Sequence, residues 1–169
     1  MDKNLDYLYS SLILAMEQEY ERYVELFNAT KHETETLKKG LLADLLNSNN
    51  RKETALQSLN MAIETRMAVL NKIGEQLHLN TPSTLNQIIA AAQSHCRKKL
   101  IDYEEKLAEL IRKINHANEH NKKLIAFSLS EVTNTIHYIN KLTSSYLNYT
   151  PSGQIQARNL HGRLISQAG

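Results

Sequence analysis

The sequence predicts an all-α protein: an antiparallel helical hairpin, a long third helix that gives an extended, coiled-coil-like bundle, and a flexible C-terminal tail. Three observations predict it. Apolar residues recur at steps of three and four over most of the chain, the spacing of one helical face. The 169 residues include only two prolines and five glycines, too few for a sheet protein with many turns or for a glycine loop that cradles phosphate. Hydrophobic residues make up 41% and aromatics 6%, with no tryptophan, so Leu, Ile, Ala and Met must do the packing, which suits thin helices. The length fits one domain, expected over residues 1–147, with the tail at 148–169.

The first stripe runs Leu5, Leu8, Leu12, Met16, Tyr20, Tyr23, Phe27 and weakens towards Leu37, with Glu17, Glu19, Glu21, Arg22 and Glu25 on the other faces. Lys38 and Lys39 before Gly40 read as a C-terminal signal, because cations favour the negative end of the helix dipole and glycine takes the left-handed cap. A second stripe follows as Leu41, Leu45, Asn49, Lys52, Leu56, Leu59, Ile63, Met67, Leu70, Ile73 and Leu77. The polar run Asn47 to Asn50 is an alternative break, which would leave Gly40 inside a longer first helix at a cost of about 1 kcal/mol relative to Ala. Either bend gives a helical hairpin.

Thr81 as a cap and Pro82 at the first helical position start a third helix. Its stripe runs Leu85, Ile89, Ala92, Cys96, Leu100, Tyr103, Leu107, Leu110, Ile114, Ala117, Asn121 and Leu124, then Leu129, Val132, Ile136, Ile139, Leu142 and Tyr146. This helix is longer than either earlier one, so part of its stripe is expected to lack intramolecular cover. The polar patch from Asn115 to Asn121 marks the expected kink. Beyond it, Tyr149-Thr150-Pro151-Ser152-Gly153 is a turn sequence. The remainder carries Arg158 and Arg163 but no acid, and reads as a mobile tail with one apolar patch, Leu160 to Ile165.

Twenty Lys and Arg stand against 18 Asp and Glu, and a net charge of +2 gives no electrostatic reason to bind nucleic acid. The single cysteine, Cys96, excludes an internal disulfide, as a reducing cytoplasm would permit. The apolar run Leu12 to Met16 is too short and too acidic in its flank for a signal peptide, and no stretch approaches the roughly 20 apolar residues of a membrane span. A cytoplasmic protein without membrane insertion is expected. His116, Glu119 and His120 match the H-x-x-E-H pattern of inverted zinc peptidases, but the next acid, Glu131, lies roughly 16 Å further along the same helix and cannot close a site. His95 and Cys96, as sequence neighbours on a helix, point about 100° apart and make a poor dyad. With no nucleophile elbow, P-loop or dinucleotide fingerprint, no enzyme and no cofactor is expected. Arg97, Lys98 and Lys99 face Asp102, Glu104 and Glu105 within two turns, a self-compensated solvated face. Of eight tyrosines, Tyr7, Tyr9, Tyr20, Tyr23 and Tyr103 read as stripe and rim residues with wet hydroxyls; Tyr138, Tyr146 and Tyr149, where the core thins, read as partner anchors or partial packing.

Asn118-Glu119-His120-Asn121-Lys122-Lys123-Leu124-Ile125, the amphipathic stretch Leu129 to Leu142, and Tyr149-Thr150-Pro151-Ser152-Gly153-Gln154 together resemble the C-terminal half of FlgN-family flagellar export chaperones. The first 110 residues match only in kind. The resemblance implies a cytoplasmic, non-enzymatic type III export chaperone that holds hook-associated proteins of the FlgK/FlgL type, prevents their early assembly and delivers them to the export gate component FlhA. By position, Asn121, Leu124, Leu129, Val132, Ile136 and Ile139 would line the substrate face, and Tyr149 would dock to the gate. An unpaired stripe suits helix-in-groove capture of a substrate helix, and equally a second copy of the chain or the partner of a generic helical adaptor. The longer tail departs from the family pattern.

Overall fold

In a computed structural model of the chain, which describes residues 3–40, 42–79, 82–144, 148–149 and 155–156, the first helix, α1, runs Lys3–Lys39. Gly40 ends it with φ +68°, a left-handed conformation that glycine adopts without a Cβ penalty, and its N–H donates to the Thr36 carbonyl at 3.2 Å. Helix α2 spans Leu42–Gln76 and includes Asn47 to Asn50, so Gly40 is the bend. The end of α2 is closed by two backbone bonds, His78 N–H to the Glu75 carbonyl at 3.1 Å and Leu79 N–H to the Gly74 carbonyl at 2.9 Å. His78 holds the left-handed position, φ +57°, that glycine more often fills.

The expected third helix is two helices, α3 at Leu85–Ala91 and α4 at Ser94–Ser144. Thr84 is the N-cap of α3, in a reciprocal capping box with Gln87, and Pro82 lies before the cap; Thr81 is outside the described residues. The break at Ala92 is made without proline or glycine. Ala92 is extended and buried, and the carbonyls of Ile89 and Ala90 accept from the Arg97 guanidinium at 3.1 and 2.7 Å. Arg97 therefore caps the preceding helix instead of sharing a self-compensated face. At Asn115 to Asn121, where a kink is expected, α4 runs on unbroken: Asn118 and Asn121 are bonded to the hairpin, and Asn115, His116, Glu119 and His120 are exposed along a regular helix.

Residues 1–122 and 123–169 form two compact units. In the first, Glu19 pairs with Arg66 and Glu33 with Lys52, so α1 and α2 are antiparallel. Tyr9 meets Ile88, Leu26 packs with Leu110 and Ile114, and Thr34 bonds Asn121, so the α4 segment up to Lys122 runs parallel to α1. One core cluster joins Tyr9, Leu12, Met16, Leu70, Ile73, Ile88 and Leu100; a second joins Leu26, Leu59, Leu110 and Ile114. The α4 stripe from Leu100 to Ile114 faces inward as its spacing predicts. On α1 the buried face is rotated from the predicted one, taking in Tyr9, Glu19 and Leu26 while Tyr20, Tyr23 and Phe27 are half-buried.

Tyr9 corrects the expectation of a wet hydroxyl: it is buried and its O–H donates to the Ile88 carbonyl at 3.3 Å. Burial, and secondarily Cys96, raises its phenol above the ordinary value of 10.0. The fold thus favours the neutral phenol. The stability this contributes is present below about pH 10, the unfolded value, and is lost as pH rises through the higher folded value. Tyr9→Phe should lower stability by about 1 kcal/mol at neutral pH and flatten the alkaline fall of the urea midpoint.

Gly74 sets a close approach. A Cβ there would lie 1.8 Å from Ser83 Oγ and 2.7 Å from its Cβ, and Ser83 is itself buried. Gly74→Ala should cost about 1–3 kcal/mol by overpacking, against a helix-propensity gain of about 1 kcal/mol. Ser83→Gly in the same chain should recover the melting temperature, because both overlapping atoms are removed.

In the second unit, α4 continues to Ser144, and two two-residue strands, β1 at Asn148–Tyr149 and β2 at Ile155–Gln156, pair antiparallel with Asn148 opposite Gln156 and Tyr149 opposite Ile155. Apart from these four residues, the expected tail, with Tyr146 before it and the Leu160 to Ile165 patch within it, lies outside the described residues.

Candidate partner-binding surface

A layer of polar side chains fixes α4 on the hairpin just before its exposed half begins. Lys52 Nζ donates to Glu33 Oε2 at 2.6 Å and to Asn118 Oδ1 at 2.8 Å. Asn121 Nδ2 donates to Glu33 Oε2 at 2.8 Å and to the Thr30 carbonyl at 3.2 Å, and Thr34 Oγ1 donates to Asn121 Oδ1 at 2.7 Å. Asn121 is only 2% exposed, so it belongs to the bundle interior and not to an outward face with the other expected substrate residues. The satisfied network links three helices, and a polar contact of this kind specifies register, because a shifted helix would leave each member buried without a partner.

Beyond it the burial pattern reverses. Leu124 is half-buried, and every described side chain from Ile125 to Leu142 is exposed. Leu129 is 66%, Val132 55% and Ile136 47% exposed. At about 100° per residue, Ile125, Leu129, Val132, Ile136 and Ile139 fall on one stripe, and Phe127 and Tyr138 share another face. Large apolar side chains gathered on one surface mark an interaction site more often than scattered ones do. Thr133 and Thr135 back-bond to the carbonyls of Leu129 and Glu131 at 2.9 and 2.8 Å, which is compatible with a regular helix. The backbone of Tyr149, the expected gate-docking residue, lies on β1.

The remaining candidates stay apart from this surface. Cys96 and His95, expected to diverge, come within 3.1 Å (Sγ to Nε2). The thiol is nevertheless held above its ordinary range, first by burial and then by Asp6, the reverse of what activates a thiolate nucleophile. His116, Glu119 and His120 are exposed, and among the described residues no group of three or more metal-ligating side chains comes together. An open groove of about 510 Å³ between α1 and α4 is lined by Phe27, Lys31, Arg112, Lys113, His116 and others, with Lys31 over the Phe27 ring and Lys113 paired with Glu109. No helix among the described residues is long and apolar enough to cross a membrane.

The fold and this surface define a class: an all-α protein whose apolar side chains on one half of a long helix are presented to solvent. A family model described as FlgN protein matches residues 1–157. The chain belongs to the FlgN family, and so in general terms to the flagellar export chaperones, which bind hook-associated proteins. No curated protein and no solved structure matches it.

Proposed function

We propose that this chain is a cytoplasmic chaperone that holds a hook-associated protein of the FlgK/FlgL type on the α4 stripe, keeps it from assembling early and delivers it to the export gate component FlhA. The observation that carries this reading is the exposure of Leu129, Val132 and Ile136 on one stripe. With Ile125 and Ile139 they give an amphipathic partner helix a continuous apolar track, the helix-in-groove mode of recognition, while the half-buried Leu124 lies about 100° round the helix from Ile125 and off that track. Capture of such a helix withholds the surface through which a polymerising protein assembles. It requires no bond-making chemistry, cofactor or nucleic acid. Calorimetry of the purified chain with FlgK-type and FlgL-type proteins tests it: binding with 1:1 stoichiometry is expected, and absence of binding to both removes the reading.

Gate docking is assigned to Tyr149, which lies past the helical positions. Tyr149→Ala should leave the melting temperature and cargo affinity unchanged while weakening association of the loaded complex with the cytoplasmic part of the gate. An aromatic anchor contributes about 2 kcal/mol or more, roughly thirtyfold in affinity. Equal titrations of mutant and wild type would take Tyr149 out of the mechanism.

A further inference from the structure

The exposed half of α4 differs from the rest of that helix in charge as well as in burial. Up to Lys123 the helix is crowded with ions, among them Glu109, Arg112, Lys113, Glu119 and Lys122. Between Leu124 and Asn140 the sole Asp, Glu, Lys or Arg is Glu131. By helical phase Glu131 lies about 100° from Val132, away from the stripe. The residues that border the stripe are Ser128, Thr135 and Leu142 along one edge, and Ala126, Thr133 and Asn140 along the other, all of them exposed. Interhelical partners set by charge carry ions at such flanking positions, as the e and g sites of coiled coils do. Here both edges bear neutral side chains.

From this neutrality we infer that the stripe takes an amphipathic helix whose own borders are uncharged, carrying hydroxyl, amide or alanine side chains, and that it selects that helix by apolar fit without electrostatic steering. This rests on the chaperone reading above. A partner helix with acidic or basic borders would have to desolvate those ions against hydroxyls and methyls that cannot neutralise them, which disfavours it. The neutral borders therefore act as a filter as well as a docking surface.

The test is a set of calorimetric titrations with the hook-associated protein that binds the full chain. Between about 0.1 M and about 1 M salt the screening length falls from about 10 Å to about 3 Å, and affinity should not weaken over that range. The four variants Thr135→Glu, Thr135→Lys, Thr133→Glu and Thr133→Lys each place one ion on a border, and all four residue changes raise helix propensity, so the helix is retained. Both signs should weaken binding at both edges, by about threefold to tenfold. A partner with charged borders gives the opposite result: one sign tightens where the other weakens, and affinity falls with salt, which overturns the inference while leaving the chaperone reading in place. No binding under any condition removes both. A concentration-dependent mass of the chain alone in sedimentation velocity, abolished by Val132→Asp, would assign the stripe to a second copy and overturn the inference too.

Discussion

Replacing Val132 and Ile136 together by aspartate should abolish binding of the hook-associated protein and leave the fold intact. Each side chain is about half exposed in the free chain, so little of its burial belongs to the bundle. In the complex each would contribute about half of the roughly 1.5–3 kcal/mol that full burial of such a side chain gives. The aspartates forfeit that and add two carboxylates to be desolvated, against roughly 8 kcal/mol in all for a micromolar complex. The melting temperature should move by only a few degrees, since the changes in helix propensity and the new like-charge pair at i, i+4 each amount to about 0.5 kcal/mol or less. Calorimetry and a thermal melt on the same sample check both halves. Unchanged affinity with an intact fold would place the site elsewhere.

Lys52→Ala should have the opposite signature, a large loss of stability centred on unit 1–122. It removes the donor shared by Glu33 and Asn118, and the Lys52 and Glu33 side chains are only 19% and 10% exposed. Breaking a buried pair from one side costs about 3–5 kcal/mol. Asn121 still donates to Glu33, which favours the lower end, and the melting temperature should fall by roughly 10 °C. Exchanging Glu33, Lys52 and Asn121 together for Leu, Met and Leu removes the whole network, and stability should then return or exceed the original. The expected penalty is in uniqueness. With the polar register marks gone, an α4 whose apolar steps repeat every seven residues can shift by one repeat, about 10 Å. Spin-label distances between α1 and α4 should change from one population to two.

These two sites also show what a single sequence can convey. The α4 stripe was legible because both its core half and its exposed half keep the same three-and-four spacing, whereas the bend at Gly40 was one of two breaks that local chemistry offered, the other being Asn47 to Asn50. The rotation of the α1 face was not. Glu19 scores as a surface residue by type, and only Arg66, 47 positions away, makes its burial tolerable. Asn121 presents the same problem on a larger scale, since its partners at Thr30, Glu33 and Thr34 lie 87 to 91 positions back. Periodicity assigns such a residue to the stripe correctly but cannot tell a buried lock from an exposed contact. The division of the third helix at Ala92 was hidden for a related reason. Arg97 supplies the capping that proline or glycine would otherwise announce, and it does so from eight residues downstream.

The order of the elements along the chain has a consequence for biosynthesis. The hairpin of α1 and α2 is complete by Gln76, whereas the bare apolar stretch begins only after Leu124. At about 5–20 residues per second, the ribosome releases that stretch several seconds after the scaffold has been made, and chain segments synthesised first fold first. The newborn protein therefore has its hairpin formed, and the inward-facing part of α4 already made, before its most adhesive surface exists, so the native α4 residues reach the hairpin's apolar faces first. A circular permutant that led with residues 123–144 would reverse this order. It should yield less soluble protein at equal synthesis rates, although every native contact of the 1–122 bundle could still form.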